Sequence, residues 1–95
     1  MKNVKIASVE YEGTTTENRG YCMATTTTAH WVFTNRCEVM IVRHVMDFDD
    51  NIYKDIIITP VSGFGLPYIE MANALKAAEK AANATFPKWD INIRL

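Results

Sequence analysis

Ser62-Gly63-Phe64-Gly65 runs into Pro67, Tyr68 and Glu70, and this stretch holds the residues best spaced to bind a small molecule. Two glycines let the backbone bend toward a bound group. A helix opening at Pro67 would aim its first N–H groups, with their partial positive charge, at a phosphate or carboxylate. Phe64 or Tyr68 could stack on a base, and Glu70 could act as an acid or bind a ligand's hydroxyls. The loop lacks the P-loop lysine and the GxGxxG spacing of dinucleotide sites, so no cofactor is implied. Without any ligand, the glycines turn a strand into a helix and Glu70 complements the helix dipole.

Arg43 is the second candidate, because it shares a strand face with Val39, Ile41 and Val45. A charge on an apolar face is costly unless it is paired or bound to an anion. Glu38, Asp55 or another carboxylate would satisfy it; otherwise it is a ligand-facing arginine at a pocket floor or subunit interface. Asp47, Asp49 and Asp50 carry oxygens that suit a hard cation, but the segment is too short for a calcium hand and lacks its glycine and terminal glutamate. A solvated turn accounts for them, and no metal is expected. Cys22, His30, Cys37 and His44 include the groups for a thiol–imidazole pair or zinc, at spacings that match no zinc pattern. Cys22 sits among β-formers, where a thiol behaves as a small hydrophobe.

Those side chains must be positioned by one domain spanning residues 1–95, since the chain has no room for a second core. Hydrophobic residues at 48% and charged ones at 22% mark a globular chain rather than a disordered one. The net charge of -1 and the absence of any basic run argue against duplex nucleic acid as a partner. The same lack of basic residues deprives the aromatics Trp31, Phe33, Tyr53, Phe64, Tyr68 and Trp89 of the electrostatic half of a single-strand platform. No signal-peptide core or membrane-length apolar stretch is seen, so the expected location is a reducing cytoplasm, with both thiols free.

The elements follow from periodicity. Val4 to Tyr11 forms a strand whose apolar phase switches near Ala7-Ser8, predicting a bulge. Gly13 to Gly20 is polar and turn-like, with its tip at Asn18-Arg19-Gly20. Tyr21 to Phe33, rich in threonine, predicts one long strand or two short ones. After a turn at Asn35-Arg36, Glu38 to Met46 is apolar on both faces, Val39/Ile41/Val45 and Met40/Val42/Met46, as a central strand would be. Ile52 to Thr59 follows in an antiparallel hairpin, and Pro60 is expected to end it. From Pro67 to about residue 85 an alanine-rich helix presents Tyr68, Met71, Ala72, Leu75, Ala78 and Ala82 as its apolar stripe. Ala74, Ala77, Ala81 and Ala84 form a smooth flank. In the closing strand Trp89, Ile91, Ile93 and Leu95 face the core. The fold class is α+β, a mainly antiparallel sheet of four to six strands with one helix on a face, in the order ββββαβ.

Function is less legible than fold. The first expectation is a small cytoplasmic binding or regulatory module acting as a homo-oligomer, which takes a small anionic or nucleotide-like ligand or a protein partner. Its contact surfaces would be the alanine flank of the helix and the outer face of the sheet. The alternatives are a small oligomeric enzyme with its site at a subunit interface near residues 62–65, and a protein inhibitor of a host or mobile-element system using an exposed strand edge or the aromatic surface. Ser62, Gly63, Phe64, Gly65, Tyr68, Glu70 and Arg43 are the expected ligand-binding residues.

Overall fold

The computed structural model describes residues 4–63 and 65–95, so the expectation for Phe64 lies outside the described residues. Strands β1 (Ile6–Asn18), β2 (Met23–Phe33), β3 (Glu38–Phe48) and β4 (Asn51–Ser62) precede helix α1 (Tyr68–Thr85) and strand β5 (Asp90–Ile93). They build one sheet in the order β1-β2-β3-β4-β5. The first four strands are a meander of antiparallel hairpins, and β5 adds parallel to β4 after the helical crossover. The fold is the α+β arrangement expected, with β3 at the centre.

α1 lies on one face of this sheet. Phe33, Cys37, Val39, Ile41, Ile56 and Ile58 are buried from the sheet side, and Ala74, Leu75, Ala78 and Ala82 from the helix side. Each large apolar side chain buried there contributes about 1.5–3 kcal/mol. Residues opposite one another in register share a face, so the helix side also carries Thr27, Ala29, Trp31, Arg43 and Lys54. The other face carries Thr26, Thr28, His30, Met40, Val42, His44, Met46, Asp55 and Ile57, and no described element covers it.

The structure departs from the sequence reading at four places. Gly13 to Asn18 is strand, not turn, because Thr14, Thr15 and Thr16 pair with Thr27, Thr26 and Thr25, and the Thr14 and Thr27 hydroxyls lie 3.1 Å apart. Such β-branched cross-strand pairs outweigh the polar composition. β4 continues past Pro60 to Ser62. There the β3–β4 register is irregular and β5 pairs no further than Ile58, so a missing N–H removes little pairing. In α1 the expected stripe holds at Leu75, Ala78 and Ala82 but not throughout: Tyr68 is 84% exposed while Ala74, expected on the flank, is fully buried. Alanines let the helix backbone come close to the sheet, and they take the place of the larger side chain. Finally, β5 is an edge strand of four residues that ends at Ile93, so Ile91 packs on the core but Leu95, beyond its end, does not.

The bulge expected near Ala7-Ser8 is present as a register shift between Ile6 and Ser8, and a second follows between Val9 and Tyr11. No described helix is long and apolar enough to cross a membrane.

Candidate functional site

The loop after β4 is shaped first by its neighbours. Gly63 adopts φ 112°, open to glycine and strained for other residues, and passes directly over Cys37. Its carbonyl accepts a hydrogen bond from the Leu66 N–H at 3.0 Å, closing a turn into the helix. Pro67 is the N-cap, and no side chain caps this end. Ser62, Gly65 and Tyr68 are exposed around it.

Glu70 has a structural partner. The Asn35 side-chain amide donates to the Glu70 carbonyl oxygen at 2.8 Å and to its Oε2 at 3.1 Å, while Asn35 Oδ1 accepts from the Cys37 N–H at 3.2 Å. One asparagine therefore ties the β2–β3 turn to the first turn of α1. The turn is tight: Arg36 has φ 69°, with hydrogen bonds Phe33 N–H to Cys37 O and Arg36 N–H to Phe33 O, both at 2.9 Å. Burial pushes the Cys37 thiol up from its ordinary pKa, and the nearby Glu70 carboxylate pushes the same way. A thiol held in its neutral form is a poor nucleophile.

Beside this junction lies an open groove of about 1050 Å³, bordered by Lys5, Asn35, Arg36, Pro67, Glu70 and Asn73. Of the expected site residues that are described, Glu70 alone borders it. Lys5, Arg36 and Asn73 were not singled out from the sequence. The signal was weak: Asn35-Arg36 reads as a turn, and nothing local shows that the turn meets a helix 35 residues later.

Arg43 is not brought to the loop. It stands at the other end of α1, which by its 18 residues is roughly 27 Å long. Its guanidinium lies 4.5 Å from the centroid of the Phe86 ring and 3.4 Å from Glu12 Oε1. Two interactions thus compensate the charge on the apolar face, and the carboxylate is Glu12 rather than Glu38 or Asp55. Glu38 instead faces His30 Nδ1 at 3.4 Å on the opposite side of the sheet.

The thiols and imidazoles are scattered. Cys22 and Cys37 are free and buried near opposite ends of β2, and His30 and His44 lie on the uncovered face. No group of three metal-capable side chains occurs among the described residues.

The uncovered face is the larger surface. Across its middle run Thr28, Val42 and Ile57, flanked by Met40 and Met46. Toward the hairpin tips Tyr21 stacks on Phe48 at 6.1 Å and Tyr53 meets Phe48 edge-on at 5.6 Å, while Tyr11 meets His30 edge-on at 5.7 Å. The four strands of the meander carry two Lys or Arg residues, Arg43 and Lys54, and both are on the helix side, while Arg19 and Arg36 lie in the turns. No family model matches the chain, and neither a curated protein nor a solved structure shows significant similarity to it.

Proposed function

We propose that this chain is a small protein-binding module whose working surface is the sheet face opposite α1. The observation that carries the reading is the composition of that face: Met40, Val42, Met46, Ile57, Phe48, Tyr11, Tyr21 and Tyr53, with no strand lysine or arginine pointing to that side. Aromatic residues and methionine are enriched at protein interfaces and lysine is depleted, because rigid apolar groups lose little entropy on docking. These apolar and aromatic side chains are interspersed with Thr26, Thr28, His30, His44 and Asp55, the mixed apolar and polar make-up of a protein-binding face. Two free thiols fit a reducing cytoplasm.

A photo-crosslinking residue at Met46 tests the reading in cells, with the same residue at Lys80 on the exposed side of α1 as control. Met46 should give discrete crosslinks to protein and Lys80 none. Equal absence at both positions would remove the reading.

A second reading has one observation in its favour. Lys5 and Arg36 border the groove at the uncapped start of α1, where first-turn N–H groups also favour negative charge. A phosphate-bearing metabolite would bind there. Thermal shift with ATP and with inorganic phosphate, lost in Arg36→Glu, is the expected outcome; no shift with either would exclude it.

A further inference from the structure

We infer that the partner on the uncovered face is a second copy of this chain, packed sheet against sheet; this rests on the protein-binding reading above. Three observations converge on the occupant. The first is the conflict between the pattern of β3 and its surroundings. Val39 and Ile41 are fully buried under the helix, yet Met40, Val42 and Met46 on the other side are just as apolar and stay only half-buried, with no described element packed over them. A strand apolar on both faces is a strand covered on both faces. One face is covered within the chain, and the other requires cover from outside it.

The second observation is size. Four strands of 11 to 13 residues form the face. At about 3.3 Å per residue and about 4.8 Å between strands they make a patch of roughly 36 by 19 Å, or about 700 Å². Two such patches remove about 1400 Å² of surface, within the roughly 1200–2000 Å² of a stable interface. The patch is therefore large enough to hold a copy of itself without help from α1 or the loops.

The third is charge. A basic partner would need carboxylates free to receive it. Of the two carboxylates that β3 and β4 place on this face, Glu38 lies 3.4 Å from His30, and Asp55 stands opposite His44 in register. Glu17, near the β1–β2 tip, bonds Arg19 at 3.3 Å. A single carboxylate in the middle of the face, Asp55, is too little charge to hold a basic partner, which favours a self-complementary apolar contact. Two sheets stacked in this way sit about 10 Å apart with inner side chains interdigitated, giving a four-layer helix–sheet–sheet–helix assembly.

Sedimentation velocity and light scattering on the full chain across the micromolar range should give twice the 10.8 kDa chain mass. Val42→Lys, at the centre of the patch, should give the single-chain mass with an unchanged circular dichroism spectrum. Thr28→Lys, its cross-strand neighbour, serves if Val42→Lys does not fold. In the wild type, peroxide oxidation of Met40 and Met46 should slow several-fold as concentration rises, while Met23, exposed on the helix side, should oxidise at a constant rate. A wild type of single-chain mass throughout would overturn the inference, as would folded lysine variants that keep the doubled mass. If that monomer still crosslinks from Met46 to a different protein, the binding-module reading stands and only the second copy falls. If it crosslinks to nothing, both fall.

Discussion

At φ 112°, with the place of a Cβ only 3.0 Å from Cys37 Sγ and 3.3 Å from its Cα, Gly63 is held to glycine on two counts, backbone conformation and space. Gly65, a few residues on, has open space within 4 Å and no such backbone demand. Gly63→Ala should therefore lose about 1–3 kcal/mol in urea unfolding, whereas Gly65→Ala should stay near neutral. Equal midpoints for the two would refute the close-approach account. Cys37 beneath it titrates in the same packing. Its folded-state pKa is raised above the ordinary 9.0, so the folded chain holds the proton longer than the unfolded one. Its contribution to stability is complete below about pH 9 and is lost as pH rises through the folded value. The melting temperature should fall less steeply above about pH 9 in Cys37→Ala than in the wild type, and parallel slopes would exclude this origin.

At the scale of elements, α1 depends on small residues where it meets the sheet. Ala74, Ala78 and Ala82 are completely buried, and each lets the helix axis sit close over β3 and β4. Ala78→Leu should cost about 1–3 kcal/mol by overpacking, while Ala84→Leu on the exposed side should cost almost nothing. If both were silent by thermal unfolding, the helix would not be packed as described. The existence and order of the elements were legible because strands and helix have strong periods: Glu38 to Met46 announced a central strand, and Pro67 a helix start. The edges of the buried face of α1 were not, although Leu75, Ala78 and Ala82 at its centre were. Alanine carries too little hydrophobic contrast to mark a face, so Tyr68 read as core and Ala74 as flank when the reverse holds.

The candidate site was legible only in part, and for a reason that lies in the whole molecule. Arg43 and the loop at 62–65 both read as ligand-facing, but periodicity assigns a residue to a face and not to a position along it. In the folded chain α1 lies between them end to end, and the arginine meets Glu12 and Phe86 instead. The molecule is long, 47 by 22 by 21 Å, with a radius of gyration of 14.6 Å against roughly 12 Å for a compact chain of this length. The length comes from the two hairpins, β1–β2 and β3–β4, whose tips project past the level of Arg43 where the helix ends.

One edge of this long sheet is β1, and its two register shifts have a bearing on how the protein behaves when crowded. Each shift throws the inside–outside alternation out of step by one residue. Another strand sliding along that margin would find its side chains in phase only from Tyr11 to Asn18, and not along the full length of β1. The irregularities thus act as a brake on fibre growth, steering association away from the margin and toward the broad flat side.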